Sequence, residues 1–193
     1  MKELSLNILD IAMNSVKAGA SNVGIAIEET PEHLRFTISD DGCGMSEEQV
    51  QKLSDPFFTT RTTRKVGLGV PFLKLAAEQA GGGVTVVSLE KSLHPDSHGT
   101  VVTADFDKNN IDFTPLGDII STLVTLIQGY PQIDFTFTHD LGDAQVSLST
   151  AEMRGVLGSG IPLSDPDILG WIKENLEEQY INIKTNQAKG TQL

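Results

Sequence analysis

The chain of 193 residues contains a single cysteine, Cys43, and a single tryptophan, and only 6% of its residues are aromatic. A lone cysteine excludes an internal disulfide and any metal site built from several cysteines. Basic residues are also scarce, because 14 Lys and Arg face 26 Asp and Glu, which gives a net charge of −12. An acidic surface repels nucleic acids and anionic membranes, so neither is expected as a partner. No apolar run is long enough to cross a membrane, and no basic leader precedes an apolar core, so a cytoplasmic location is expected.

The composition that remains is that of a globular protein, with 39% hydrophobic residues and a length suited to one domain or one domain with an appendage. Hydrophobic periodicity predicts an α+β chain. The predicted helices cover residues 4–18, 71–80, 115–128, 150–156 and 166–180, with a short helix after Ser46, and the predicted strands cover 23–28, 34–39, 84–89, 100–106, 133–138 and 144–149. The sequence pattern changes after Phe106, which indicates a domain boundary. The predicted units are a domain over 1–108, a small α+β unit over 109–183 and a flexible polar tail over 184–193.

The most informative segment is residues 40–45, Asp-Asp-Gly-Cys-Gly-Met, which follows a predicted strand. The carboxylate of Asp40 can accept a hydrogen bond from an exocyclic amine, which favours adenine over guanine at that edge of a base. Gly42 and Gly44 allow positive φ or a close approach of the backbone to a ring. An ordinary turn also produces this pattern, so a nucleotide site is predicted only together with the segments on either side.

A narrow polar stripe runs along the first predicted helix. At about 100° per residue, Asn7, Asp10, Asn14 and Lys17 lie on one side, while apolar residues cover much of the remainder. Buried polar groups need partners, and Mg²⁺ with phosphates and water would supply them, because amide and carboxylate oxygens suit Mg²⁺. The alternative is a polar helix edge that faces solvent.

A basic, hydroxyl-rich segment covers residues 55–70. Arg61, Arg64 and Lys65 concentrate positive charge in an acidic protein, and Gly67 and Gly69 then open a predicted helix. Helix N-termini bind anions through their free N–H groups. The segment therefore predicts a flap that contacts a triphosphate, with a mobile basic loop as the alternative.

These blocks, in this order, resemble the GHKL superfamily of ATP-binding proteins, which includes gyrase, the large heat-shock chaperone, histidine kinases and MutL. Residues 10–20, Asp-Ile-Ala-Met-Asn-Ser-Val-Lys-Ala-Gly-Ala, resemble the N box, closely in its MutL form. Residues 40–44 match the G1 box, 55–61 resemble the F box of nitrogen-type histidine kinases, and 67–70 match the G2 box. The Gly-Thr at residues 99–100 resembles the pair that closes the adenine pocket.

The resemblance covers about residues 4–106 and implies a Bergerat fold, a two-layer α/β sandwich with helices on one face of a mixed sheet. It implies ATP and Mg²⁺ as cofactors, with Asn14 as the metal ligand, Asp40 holding adenine N6 and Thr100 supporting Asp40 through water. It also implies a short ATP lid over residues 58–66. The cofactor-binding residues expected on this basis are Asn14, Lys17, Asp40, Gly42, Gly44, Met45, Phe58, Thr59, Thr60, Arg61, Lys65, Val66, Gly67, Leu68, Gly69, Val70 and Thr100.

Asp10 is the candidate catalytic residue. In the ATPase branches of the superfamily, a glutamate at this position acts as general base on the attacking water. Aspartate is one methylene shorter, and a base must come within hydrogen-bond reach directly or through one water. We therefore expect slow hydrolysis at best, and a purely structural Asp10 is the alternative.

Three functions follow from the resemblance: a nucleotide-dependent switch or slow ATPase, a protein kinase that acts in trans like the anti-sigma-factor kinases, and a non-catalytic nucleotide-binding module. The layout is similar to stand-alone histidine-kinase-like ATP-binding proteins of anaerobic bacteria. No histidine falls on a plausible phosphoacceptor helix, so autophosphorylation is not expected. The expected partners are an adenine nucleotide and a protein of unknown identity, and a homodimer is left open.

Overall fold

A computed structural model describes residues 3–53, 69–158 and 160–190 of the chain. The elements in chain order are α1 (Leu4–Lys17), β1 (Asn22–Glu29), β2 (His33–Asp40), α2 (Glu47–Leu53), α3 (Gly69–Gln79), β3 (Gly83–Leu89), β4 (Gly99–Asp107), α4 (Ile119–Gly129), β5 (Asp134–Asp140), β6 (Gln145–Ser149), α5 (Thr150–Leu157) and α6 (Pro166–Gly190). None of the described helices is both long enough and apolar enough to cross a bilayer.

The six strands form one mixed sheet in the order β3-β4-β2-β1-β5-β6. Strands β1 and β5 run parallel, and every other neighbouring pair runs antiparallel. The parallel pair arises because β5 returns to the sheet after a long connection that contains helices, as a parallel crossover requires. This confirms the predicted α+β class with a mixed sheet.

One face of the sheet is covered by helices and the other is more open. The strand register aligns one row of buried side chains across five strands, formed by Val102, Ile38, Ile25, Phe137 and Leu148. Residues at the alternate positions are half-buried or exposed, and many of them carry hydroxyls. This alternation is typical of a sheet with one buried face, and it confirms the predicted two-layer arrangement.

The start of α1 is fixed by the segment that precedes α4. The N–H of Leu4 donates to Pro115 O at 2.9 Å, and the N–H of Ser5 donates to Leu116 O at 2.8 Å. These bonds satisfy two of the four N–H groups that a helix leaves free at its start. They also explain why α4 begins at Ile119, with Asp118 as its cap, and not at Pro115 as the sequence pattern predicted.

The segment after residue 108 extends the sheet of the first segment. β5 pairs with β1 over its full length, from Asn22 opposite Asp134 to Glu28 opposite Asp140. The predicted division into domains at residue 108 stays a prediction, but the sheet itself continues across it. Helix α6 reaches Gly190, so most of the predicted tail over 184–193 is helical, because the polar residues there continue the helix that begins at Pro166.

A polar cluster ties the two segments together at the end of β1. His139 of β5 is 2% exposed. Its Nε2 donates to Glu29 Oε2 at 3.1 Å, because a carboxylate can only accept, and its Nδ1 lies 2.8 Å from the Tyr180 hydroxyl of α6. Lys108, just after β4, donates to Glu29 Oε1 at 2.8 Å. The cluster therefore links β1, β5 and α6 with the end of β4.

These contacts shift the protonation of two groups. The hydrogen bond from His139 lowers the pKa of Glu29, burial opposes that effect, and Lys108 lowers the pKa further, to about 2. Burial, assisted by the nearby charge of Glu29, raises the pKa of Tyr180 above its usual range. Glu29 is thus held as a carboxylate and Tyr180 as a neutral phenol near neutral pH.

The depressed pKa of Glu29 predicts a specific loss of stability in acid. A carboxyl with a lowered folded-state pKa stabilises the fold above its unfolded pKa of 4.5, and that contribution disappears as the pH falls towards about 2. The unfolding free energy of the wild type should therefore drop by about 2 kcal/mol between pH 6 and pH 3 relative to the Glu29→Gln variant. Urea unfolding of both proteins at the two pH values measures this difference.

Glu28→Gln is the matched control, because Glu28 is the exposed neighbour on the same strand. Its stability relative to the wild type should change little over the same pH range. A Glu29→Gln difference that stays constant from pH 6 to pH 3 would contradict the role of the cluster.

Candidate functional site

A row of polar side chains lies at one end of the covered sheet face. Asp40 of β2 stands opposite Thr100 of β4, and Thr100 stands opposite Ser88 of β3. Two residues away on the same three strands, the side chains at these positions are apolar: Ile38, Val102 and Val86. Because side chains two residues apart share a face, the polar row continues the core side of the sheet to its edge.

Each oxygen of the Asp40 carboxylate already holds one donor. Ser15 of α1 donates its hydroxyl to Oδ2 at 2.6 Å, and the backbone N–H of Gly42 donates to Oδ1 at 2.9 Å. These bonds orient the carboxylate between α1 and the turn after β2. An ionised carboxylate has about four acceptor positions, so Asp40 keeps capacity for a further donor.

The turn after Asp40 needs glycine for steric reasons. Gly44 has φ of 65°, and a Cβ there would collide with the carbonyl oxygen of Leu89. A Cβ on Gly42 would lie 2.8 Å from the Cβ of Ala18 and 3.0 Å from Asp40 Oδ1. The turn therefore packs its backbone directly against α1 on one side and against the end of β3 on the other.

Backbone and ring hydrogen bonds hold this turn in place. The N–H of Cys43 donates to Ala18 O, and the N–H of Lys91 donates to Cys43 O, both at 2.9 Å. His98 Nδ1 lies 2.7 Å from Gly42 O and must be the donor, because a carbonyl only accepts. The region around Asp40 is thus fixed by contacts from the C-terminal end of α1 and from the loop that joins β3 to β4.

The Ser88 hydroxyl joins three neighbours of this row. It accepts from the N–H of Met45 at 2.8 Å and donates to Gly99 O at 2.9 Å. It also lies 2.9 Å from the hydroxyl oxygen of Thr100. Met45, which sequence reasoning placed in the site, therefore has its backbone N–H bonded to Ser88.

The polar stripe of α1 is graded in exposure. Asn7 is buried, Asn14 is half-buried, and Asp10 and Lys17 are exposed. Asn14 directly precedes Ser15, whose hydroxyl reaches Asp40. The stripe is therefore neither wholly buried nor wholly solvated, and the helix contacts the polar row through Ser15.

The start of α3 adjoins Asp10. A Cβ on Gly69 would lie 3.2 Å from the Cβ of Asp10 and 3.8 Å from its Oδ2. The start of α3 at Gly69 therefore borders the Asp10 side chain. Val70 is 6% exposed and packs in the core, so only its backbone is available for a ligand.

The structure brings together part of the predicted site. Asp40 and Thr100 lie side by side, Ser15, the neighbour of Asn14 on α1, bonds Asp40, and Asp10 on the same helix adjoins the start of α3. Lys17, also predicted to bind the cofactor, is exposed on α1. Eight further predicted cofactor-binding residues fall outside the described residues; they are Phe58, Thr59, Thr60, Arg61, Lys65, Val66, Gly67 and Leu68.

Sequence reasoning missed two hydroxyls and the role of a second carboxylate. Ser15 and Ser88 each bond a predicted site residue, and alternation along β3 was the only signal that placed Ser88 on the face of Val86.

Asp41 points away from this row and accepts from the N–H groups of Ser21 and Asn22 at 2.7 and 2.9 Å. Burial opposes its ionisation, but these bonds and the Asn22 side chain outweigh burial and lower the pKa of Asp41.

Within the described ranges, no group of three or more His, Cys, Asp or Glu side chains converges on a point where a metal ion could bind. A metal in this region would therefore rely on few protein ligands. Mg²⁺ is commonly bound in that way, because it retains waters and takes phosphate oxygens as ligands.

A separate cavity of about 680 Å³ lies between β5, β6, α5 and α6. Its walls include Met153, Ile168 and Trp171, together with the acidic Glu152 and Asp167. Strands β1 and β5 separate β6 from β2 in the sheet. The cavity is therefore distinct from the region around Asp40.

The model of the histidine kinase-, DNA gyrase B- and HSP90-like ATPase family matches residues 1–110. This range includes α1, the turn after β2 and the complete polar row across β2, β4 and β3. The chain belongs to this family. The predicted GHKL resemblance is thereby confirmed, on more than half of the chain.

Curated relatives include bacterial sensor kinases. Sporulation kinase E of Bacillus subtilis is 31% identical over 91 residues, which are 47% of this chain and 12% of that protein. The sensor histidine kinase ZraS of Escherichia coli O157:H7 is 27% identical over 85 residues, which are 43% of this chain and 18% of that protein. The chain therefore spans less than a fifth of the length of either kinase.

Solved structures agree on the fold. The Aquifex aeolicus MutL ATPase domain, complexed with ADP, is 12% identical with a TM-score of 0.50, and the match covers 93% of this chain and 70% of that one. The N-terminal domain of a DNA repair protein is 18% identical with a TM-score of 0.53, covering 83% and 58%. Both matches extend beyond residue 110, so the similarity in fold includes part of the C-terminal segment.

Proposed function

We propose that this protein binds ATP with Mg²⁺ and acts as a nucleotide-dependent switch or slow ATPase. The observation that carries the proposal is the oriented carboxylate of Asp40, which stands beside Thr100 at the edge of the covered sheet face and retains acceptor capacity. A fixed acceptor at this position suits the exocyclic amine of adenine. Gly42 and Gly44 leave no room for side chains, so the backbone of the turn can approach a base closely.

The proposed metal is placed at the other end of the nucleotide. Asn14 is half-buried on α1, one residue before the serine that bonds Asp40. Its amide oxygen is a hard ligand that fits Mg²⁺, with phosphate oxygens and water completing the coordination. Bound Mg²⁺ would neutralise phosphate charge in a chain of net charge −12, in which anion binding otherwise depends on backbone N–H groups and a few cations.

Asp10 is proposed to position or deprotonate the attacking water. Its carboxylate is exposed and adjoins the first turn of α3, whose N–H groups suit a phosphate. Hydrolysis is proposed to be slow, because the short side chain of aspartate would need a second water to reach the nucleophile. ATP binding would then shift the protein between two conformations, and a partner protein would read that change.

A protein kinase acting in trans is the second candidate. Its support is the similarity of residues in the matched region to sporulation kinase E and to ZraS, at 31% and 27% identity. Incubation with γ-labelled ATP and candidate partners separates the candidates. Release of free phosphate supports the ATPase, label on a second protein supports the kinase, and binding without either supports a non-catalytic module.

The nucleotide proposal itself is tested by thermal unfolding with Mg·ATP, Mg·GTP, ATP with EDTA, and no ligand. A ligand at about 100 times its Kd stabilises the native state by about 2.7 kcal/mol. For a chain of this length, Mg·ATP should therefore raise Tm by about 5 to 10 °C. Mg·GTP should raise Tm much less, and removing Mg²⁺ should reduce the effect of ATP. Equal shifts with ATP and GTP, or no shift with either, would contradict an adenine site.

A further inference from the structure

We propose that Ser88 is a positioning residue that sets the hydrogen-bond polarity of Thr100 and thereby strengthens the preference for adenine over guanine. The inference rests on the proposed nucleotide function and adds a residue outside the predicted site. Ser88, Thr100 and Asp40 stand side by side on adjacent strands β3, β4 and β2. Ser88 is two strands away from Asp40, so it acts through Thr100.

The number of hydrogen atoms on these groups decides which of the two hydroxyls, Ser88 or Thr100, donates the hydrogen bond between them. A serine hydroxyl has one hydrogen and two lone pairs. Ser88 accepts from the N–H of Met45 at 2.8 Å and places its own hydrogen on Gly99 O at 2.9 Å, where a carbonyl can only accept. Its second lone pair then accepts from the Thr100 hydroxyl, whose oxygen is 2.9 Å away. In this arrangement all three contacts of Ser88 are complete hydrogen bonds.

The reverse arrangement is less favourable. If Ser88 donated to Thr100, the oxygens of Ser88 and Gly99 would face each other at 2.9 Å with no hydrogen between them. That arrangement removes the hydrogen bond to Gly99 O and sets two lone pairs against each other, which makes it the less stable of the two. The Thr100 hydrogen is therefore directed towards Ser88 and away from Asp40.

This polarity leaves only lone pairs of Thr100 available on the side of the proposed base. The carboxylate of Asp40 also only accepts. Two neighbouring acceptors match an exocyclic amine, which offers two hydrogens, directly or through a water. They oppose a carbonyl oxygen, which is what guanine and hypoxanthine carry at the same ring position. Ser88 thus removes the one donor in the row that could have served a 6-oxo purine.

The test measures ATP and GTP affinity of the wild type and of Ser88→Ala by isothermal titration in Mg²⁺. Without Ser88, the Thr100 hydroxyl is free to rotate and donate to a 6-oxo group. The ratio of ATP to GTP affinity should therefore fall about tenfold, because ATP binding weakens while GTP binding weakens less or improves. A residue that only supports the fold would weaken both nucleotides by the same factor and leave the ratio unchanged.

Thr103→Ala is the matched control. Thr103 lies on the same strand but on the other sheet face, and its hydroxyl forms a comparable pair with Thr37 at 3.2 Å. It should leave the ratio unchanged. Ser88→Thr retains the hydroxyl and should keep a ratio close to that of the wild type, which also guards against a Ser88→Ala variant that folds poorly.

A double-mutant cycle with Thr100→Ala tests whether Ser88 affects the nucleotide preference through Thr100. If Ser88 acts through Thr100, adding Ser88→Ala to Thr100→Ala should change the ATP to GTP ratio little further. Additive effects of the two changes, or equal weakening of both nucleotides by Ser88→Ala, would overturn the inference while leaving the nucleotide site intact. A wild type that binds neither nucleotide would overturn the proposed function together with this inference.

Discussion

Replacing Asp40 with asparagine should weaken ATP binding by about 100-fold or more while leaving the protein folded. The amide oxygen of the new side chain can still accept from the N–H of Gly42, which fixes the amide nitrogen on the side of Ser15. The serine hydroxyl can turn and accept from that nitrogen, so the local structure survives. The side towards the proposed adenine amine, however, changes from a charged acceptor to a neutral donor. Losing a hydrogen bond to a charged group and opposing two donors together cost about 3 kcal/mol or more.

Asp41→Asn is the matched control for this prediction. Asp41 is the adjacent carboxylate, but its oxygens are bonded to Ser21 and Asn22 at the start of β1. The substitution should lower the unfolding free energy, since it disturbs bonds that favour the charged form, and leave the ATP affinity of the folded protein within a few-fold. Titration calorimetry at a temperature where both variants are folded measures the two affinities. Similar losses in both variants would mean that Asp40 acts on the fold and not on the base.

Replacing Asp10 with asparagine should abolish turnover and leave ATP affinity nearly unchanged. Asp10 is exposed on α1 and borders the first turn of α3 through Gly69, where the phosphates are proposed to lie. General base catalysis contributes about 10² to 10⁴ in rate, and an amide cannot accept the proton of an attacking water. The steady-state rate of phosphate release should therefore fall by about 100-fold or more, while the Kd for ATP, measured separately, stays within about twofold.

Asp10→Glu is the informative companion, because its extra methylene brings the carboxylate closer to a water that aspartate reaches indirectly. Its phosphate release should equal or exceed that of the wild type. Asp10→Asn with unchanged phosphate release would exclude the base role, and Asp10 would then be a structural neighbour of α3.

Much of the fold follows from local patterns in the sequence. Alternation in β1 and β2 assigns Ile25, Ile27 and Ile38 to the buried face, and the structure buries all three. The strand that ends in Asp40 and the glycine pair after it predict a turn with restricted space, and Gly44 has φ of 65° with a carbonyl directly against it. These features depend on residues close together in the chain, which is why sequence reasoning reaches them.

The features that sequence reasoning missed depend on contacts between distant segments. Ser88 matters only because the strand register places it opposite Thr100, and the β3–β4 register follows from packing. The parallel pairing of β5 with β1, and the bonds that hold α1 to Pro115 and Leu116, likewise join segments about 110 residues apart. No periodicity within a short window of the sequence carries that information.

The central claim is that Asn14 and Asp40 hold opposite ends of one Mg·ATP molecule. A crystal structure of the protein with Mg²⁺ and a non-hydrolysable ATP analogue tests it most directly. The expected result is an adenine amine within hydrogen-bond distance of the Asp40 carboxylate, and a metal ion bound by the Asn14 amide oxygen and the phosphates. A nucleotide bound elsewhere, or bound here with its base away from Asp40 and its metal away from Asn14, would contradict the claim.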